Sequence, residues 1–213
     1  MGIKGDFMKS IIGLVVVAVG VLVGSYVANS TKVEPVEQVV IVQPAPVVPL
    51  SVFVQKVMDE CNAKGSEAFL LVLRDLIADV AVSALKTREH QEALPLLICI
   101  ESKFNPRARS SAGAVGLSQI MPKYAQEFAT ACGLGKLSSD DLNFPEINLR
   151  IGACHLARLL TLHEGSIPLA LAAYNSGANS PSVKRLSSLA SGNPETDGYL
   201  AKFSVLKHKT QSP

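Results

Sequence analysis

The 213-residue chain contains no tryptophan, and its aromatic residues amount to only 5% of the sequence. Any ring platform for a ligand must therefore come from a few Tyr and Phe side chains. An excess of one charge is also missing. Twenty Lys and Arg face eighteen Asp and Glu, a net charge of +2, with no block of basic residues. That removes the electrostatic footprint of a nucleic-acid-binding protein. No CxxC pair occurs among Cys61, Cys99, Cys132 and Cys154, and His90, His155, His163 and His208 show no ligand spacing. His155 and His163 stand eight apart on one helical pattern and read as surface or core-edge residues rather than a zinc pair. No metal and no cofactor is expected. Cys99 lies inside an apolar run and reads as a buried free thiol. An even cysteine count in a chain that leaves the cytoplasm also allows disulfides, whose pairing cannot be read from sequence.

What is present is apolar. Hydrophobic residues make up 48% of the chain, and the mean hydropathy is +0.29, which points to a membrane segment. Lys4 and Lys9 precede an uncharged stretch, Ile11 to Val27. As a helix it would span roughly 26 Å, just enough for a bilayer core with flanking help. A cleaved signal peptide needs small residues at its cleavage site, and Tyr26 with Ala28 is a poor match. An uncleaved anchor over 11–28 fits better, with residues 1–10 cytoplasmic and the remainder across the membrane. Gly20 and Gly24 form a GxxxG pair, for which simple absence of bulk is the plainer explanation. Pro35, Pro44, Pro46 and Pro49 make 29–50 an extended linker reaching on the order of 60 Å.

From Ser51 the pattern turns helical. Phe53, Val54, Val57, Met58 and Cys61 form one stripe, which Gly65 closes. Ser66 is placed as an N-cap for a second stripe from Phe69 to Val80. A third helix runs from Gln91 to Ser102, with Pro95 either in its first turn or breaking it from an earlier piece. Residues 105–116 form a loop in which Gly113 and Gly116 allow close approach to a ligand. Helices are expected again over Leu117–Ala131, Asn148–His163, from Pro168 to a stop at Gly177, and over Glu195–Leu206. No region reads as strand. The expected organisation is an α-helical domain comprising N-terminal helices (51–92), a catalytic part (93–206) and a tail (207–213).

The chain is organised around Glu101 to Pro122, ESKFNPRARSSAGAVGLSQIMP. An apolar run, Leu94 to Ile100, ends directly on the Glu101 carboxylate. Burial there would raise its pKa and keep a proton available near neutral pH. A solvated helix-end Glu is the competing reading of the same spacing.

Four pieces line up in order: ES at 101–102, GLSQIMP at 116–122, AYNSG at 173–177 and ETDGYL at 195–200. Over roughly Ala93 to Phe203 the chain resembles the soluble-lytic-transglycosylase family, lysozyme-like muramidases that cut bacterial peptidoglycan. The resemblance implies a goose-type, lysozyme-like helical fold with Glu101 as the single catalytic acid/base. It assigns Gln119 and Met121 to the sugar cleft and Ser110 to the position ahead of the GAxGL turn. It also makes Tyr174 and Asn175 the AYN pair, with the tyrosine facing the acid, and has Glu195 and Tyr199 close the cleft's far side. Two departures stand out: Ser118 where Met is usual, and Ser176 where Ala is usual. The implied reaction cleaves the bond between N-acetylmuramic acid and N-acetylglucosamine and leaves a 1,6-anhydro end, with no enzyme carboxylate besides Glu101. A second acid could still arrive in space from Asp140, Asp141 or Glu195. A hydrolytic goose-type lysozyme and a non-catalytic muropeptide-binding or assembly subunit are the alternatives. The expected partners are peptidoglycan glycan strands and the membrane. Wall remodelling, wall-opening for a conjugation or secretion machine, and a phage virion with an internal membrane are all suitable settings.

Overall fold

The stripes read from the sequence fold as helices. The computed structural model describes residues 48–186 and 193–211, which carry eight α-helices and no strand beyond isolated bridges. They are α1 (Leu50–Glu60), α2 (Glu67–Ala84), α3 (Arg88–Ser102), α4 (Pro122–Ala131), α5 (Pro145–Leu162), α6 (Ile167–Ser176), α7 (Pro181–Leu186) and α8 (Pro194–Gln211), with a 3-10 turn at Ser139–Asn143. The mainly α expectation holds. The expected anchor at 11–28 lies outside the described residues, and among the described residues no helix is long and apolar enough to cross a membrane.

Local chemistry sets the boundaries. Ser66 caps α2 by accepting from the Phe69 amide, and Thr87 caps α3 by accepting from that of His90. Both satisfy amides that have no partner within the helix. Helix α1 stops at Glu60, before Gly65, because Asn62 turns left-handed. Pro95 sits inside α3, neither in its first turn nor at a break. Its ring removes one i→i−4 bond, and burial of seven α3 side chains besides Pro95 keeps the helix in place. Helix α8 runs five residues past Leu206, so most of the expected tail is helical.

Helix α1 packs on α2, α3 and α8; α2 packs on α3 and α5; α6 packs on α5, α7 and α8. Side chains of α1 and α2 share one core with those of α3, α5, α6 and α8, so this core crosses position 92. A second, smaller cluster joins Val115, Ile120, Ala125, Leu142 and Ile151, and Tyr174 packs against both. The candidate site lies where the two meet.

The expectation of a free Cys99 is overturned, because Cys99 pairs with Cys61, tying α3 to the end of α1. The residues are 38 apart, and the stripe that suggested a buried thiol does not reveal a partner from another helix. Cys132 pairs with Cys154, tying the end of α4 to α5 across 22 residues. Closing a loop of that size removes roughly 3 kcal/mol of unfolded-state entropy. Replacing Cys132 and Cys154 together by Ala is expected to lower stability by about 2–4 kcal/mol in chemical denaturation; an unchanged midpoint would contradict this.

Candidate active site

Glu101 occupies the last turn of α3. The helix then stops abruptly, since Lys103 and Phe104 both adopt left-handed backbone. That conformation is unfavourable for side chains of this kind, and it is held because Phe104 is completely buried in the core. Ser102, the second residue of the ES pair, faces inward and donates its hydroxyl to the Ile98 carbonyl. The reversal leaves Glu101 half-buried at the helix end.

The Tyr199 hydroxyl donates to Glu101 Oε1 at 2.7 Å. Burial raises the Glu101 pKa from 4.5 to about 7, against the bond from Tyr199, which favours the carboxylate and lowers it. Desolvation is the larger effect. Burial and the Glu101 charge together push the Tyr199 hydroxyl well above its ordinary range, so it remains a proton donor.

Gly116 to Gln119 form a tight turn closed by paired bonds between Val115 and Ile120. Gln119 is left-handed, with φ 49°, and its side-chain amide donates to the Gly116 and Ala108 carbonyls. This corrects the expected helix over Leu117–Ala131: α4 starts only at Pro122, and Gln119 belongs to the turn. Asn148, 1% exposed, organises the turn from α5. It accepts from the Ser118 amide (2.7 Å) and donates to the carbonyls of Val115 (2.9 Å) and Leu142 (3.0 Å). A Cβ at Gly116 would lie 2.2 Å from Asn148 Nδ2, and φ there is +81°, so glycine is required on two counts.

Tyr174 donates its hydroxyl to the Ser118 carbonyl at 2.8 Å. The hydrogen bond to Glu101 itself comes from Tyr199, while Tyr174 lies close enough to feel the Glu101 charge. Burial, and after it the Glu101 charge, raises the Tyr174 pKa far above its usual value. Ser118 is completely buried, and its Oγ has no partner. A small side chain fits because a Cβ on Gly152 would come within 2.4 Å of Ser118 Cβ; nothing in the structure explains the hydroxyl itself. Ser176 donates to the Ala172 carbonyl, and its hydroxyl also bonds that of Ser180, linking the end of α6 to α7.

A cleft of about 980 Å³ opens beside this arrangement, and Gln119, Met121, Tyr174 and Asn175 line it. Glu101 and Tyr199 do not line it; they adjoin it through Tyr174, which feels the Glu101 charge. Ser110 is exposed, and its hydroxyl accepts from the Ala114 amide, so it shapes the loop ahead of the turn. Glu195 is exposed in the first turn of α8. The cleft-side residue is its neighbour Thr196, fully buried, whose hydroxyl lies 3.4 Å from Asn175 Oδ1. Asp141 is tied to Ser138, which holds its carboxyl below the usual range. Among the described residues, no group of three or more His, Cys, Asp or Glu could hold a metal ion.

The sequence pattern described as the transglycosylase SLT domain matches residues 80–190. The chain belongs to this family. A Haemophilus influenzae protein assigned by name to the soluble lytic murein transglycosylases is 39% identical over 103 residues, which cover 48% of this chain and 17% of that one. Two solved structures share the fold. The 70 kDa soluble lytic transglycosylase of Escherichia coli has a TM-score of 0.59 at 22% identity, over 76% of this chain and 29% of its own. An inactive mutant of a Pseudomonas aeruginosa lytic transglycosylase has a TM-score of 0.53 at 24% identity, over 66% and 24%. The chain thus spans less than a third of each of these relatives.

Two residues that support the site are not among those the sequence singles out. Asn148 could have been found as a polar residue on the apolar side of a helical stripe. Thr196 could have been found by continuing the α8 stripe backwards, since Thr196, Tyr199, Phe203, Leu206 and Thr210 recur at three- and four-residue steps.

A raised carboxyl pKa has a stability consequence of definite sign. The unfolded chain ionises Glu101 near 4.5 and the native state only near 7. Native stability therefore falls as pH rises through that window, and the full cost of the buried carboxylate is present above about 7. Glu101→Gln, which keeps an acceptor for Tyr199, is expected to stabilise the protein above pH 7 by on the order of 1–3 kcal/mol. Below pH 4 it should change little. Thermal unfolding across pH checks this; a difference independent of pH would contradict it.

Proposed function

We propose that this SLT domain is a peptidoglycan lytic transglycosylase of lysozyme-like fold. It cleaves the β-1,4 bond between N-acetylmuramic acid and N-acetylglucosamine and leaves a 1,6-anhydro end. The observation that carries this reading is Glu101, a buried carboxyl with a pKa of about 7 whose shift has only two causes, burial and Tyr199. Among the described residues, no second carboxylate is a cause of that shift. Ordinary glycosidases need two carboxyl groups, about 5–5.5 Å apart when they retain configuration.

In the proposed reaction, protonated Glu101 gives its proton to the glycosidic oxygen as the bond to the muramic acid C1 breaks. The substrate's own N-acetyl group stabilises the positive charge that develops at C1. Glu101, now ionised and steadied by the Tyr199 hydroxyl, takes the proton of the C6 hydroxyl, whose oxygen closes on C1. The acid is restored, and no water is consumed. Tyr174, Asn175, Gln119 and Met121, which line the cleft, would flank the glycan strand, and Thr196 would steady Asn175.

The site of action follows the same reading. Two disulfides suit an oxidising compartment, which supports a catalytic domain on the periplasmic side of a single-pass anchor at 11–28. Wall remodelling, a secretion or conjugation machine and a virion are all settings in which such an enzyme would open the wall locally.

Mass spectrometry of sacculi digested by the chain tests the reaction. The expected products carry 1,6-anhydromuramic ends, with Glu101→Gln lowering turnover by roughly a hundredfold or more. Reducing muramic ends without anhydro sugar would instead make the protein a hydrolase. Full activity of Glu101→Gln would remove the catalytic assignment.

A further inference from the structure

Helix α4 is held differently from the rest of the cleft. It contributes Tyr124, Glu127 and Phe128 to the lining, yet it buries only Ala125 and Ala129. Two methyl groups remove little apolar surface from water, so packing fastens the helix weakly. Its side-chain hydrogen bonds stay local: Gln126 reaches Thr130, Gly135 and Leu137, and among the described residues none joins α4 to α5 or α6. Phe128 stacks on His155 of α5 at 4.0 Å between centroids. The firm link is the Cys132–Cys154 disulfide, which ties the end of α4 to the cleft-lining Cys154 of α5. The surroundings of the acid do not use α4. Tyr199 reaches Glu101 from α8, and Asn148 holds the 116–119 turn from α5.

The two disulfides also differ in how they can be opened. Cys99 lies in the main core, where a departing thiolate would be stranded among apolar groups that raise its pKa. Cys132 and Cys154 are both half-buried, and Cys132 sits between exposed Ala131 and Gly133, open to an attacking thiolate. Arg158 is four residues on from Cys154 and lines the same cleft; residues at that spacing are neighbours on a helix. Burial, and after it the Arg158 charge, lowers the pKa of the adjacent His155 to about 4. The same charge favours a thiolate leaving from Cys154. We propose that Cys132–Cys154 is a thiol–disulfide exchange site for a dithiol reductant, whose action releases α4 and disables glycan binding while the acid stays in place. One thiolate of the dithiol attacks Cys132 Sγ, the Cys132–Cys154 bond breaks, and Cys154 departs as a thiolate that takes up a proton. The second thiolate attacks the mixed disulfide, so that the reductant leaves as a disulfide and Cys132 as a thiol. The dithiol's two electrons and two protons end on the cysteines, and a disulfide oxidant reverses the step. Only the loss of glycan binding rests on reading the substrate as peptidoglycan.

Brief dithiothreitol treatment of the full chain, followed by alkylation and peptide mass spectrometry, reads which bond opens. Cys132 and Cys154 are expected to label roughly tenfold faster than Cys61 and Cys99. Hydrogen exchange then reports on the helix: α4 amides should exchange on the order of a hundredfold faster after reduction, with those of α3 unchanged. Sacculus digestion should fall about tenfold with the same pH profile, and recover on reoxidation. The Cys61→Ala/Cys99→Ala variant should respond to the dithiol as the wild type does, and Cys132→Ala/Cys154→Ala should lose the response. Equal labelling of both pairs, α4 exchange that reduction leaves unchanged, or α3 and α4 loosening together would overturn the proposal, as would undiminished digestion by the reduced chain. A wild-type chain that forms no anhydro products would count against the reaction proposed above, and labelling with hydrogen exchange would still decide the exchange site.

Discussion

The bond from the Tyr199 hydroxyl to Glu101 joins residues 98 positions apart, and the site depends on it. Two opposed effects meet at that carboxyl. Removing it from water favours the protonated acid, and the phenol's proton favours the carboxylate. Burial is the stronger, which leaves an acid that can give up its proton and still be steadied once it has done so. Tyr199 reaches Glu101 because α8 lays one stripe, from Thr196 to Thr210, against the core. The packing of the last helix therefore sets the chemistry at the end of the third.

The opposite wall rests on a buried amide. Asn148 uses its side-chain oxygen and nitrogen to hold the turn at 116–119, and that turn presents the Ser118 carbonyl to Tyr174. A buried polar group of this kind is stabilising only when fully satisfied, and Asn148 makes three bonds. Ser118 Oγ in the same network makes none. The left-handed residues Lys103, Phe104 and Gln119 cluster on the two segments that frame the site. Asn62 and Glu164, the other described non-glycine residues of positive φ, lie at the ends of α1 and α5.

Much of this was legible beforehand. The apolar stripes of α1, α2, α5 and α6 report helices because burial of one helical face enforces their spacing. Glu101 could be singled out because an apolar run ending in a carboxylate predicts desolvation. Features that depend on other segments were not legible. Nothing local says that Cys99 meets Cys61, that Pro95 is tolerated inside α3, or that Gln119 turns left-handed. Glu195 and Thr196 are adjacent, and only the α8 stripe decides which of them faces inward. The AYN tyrosine, Tyr174, feels the Glu101 charge and bonds the Ser118 carbonyl, and nothing local says that Tyr199 is the residue that donates to the acid.

The account stands on a carboxyl that keeps its proton near neutrality. Carbon-detected NMR titration of the Glu101 side chain measures this directly, in the wild-type protein and in Tyr199→Phe. The expected midpoint is about 7, moving higher when the Tyr199 hydroxyl is removed. A midpoint near the ordinary 4.5, unmoved by Tyr199→Phe, would describe a solvated helix-end glutamate and contradict the account.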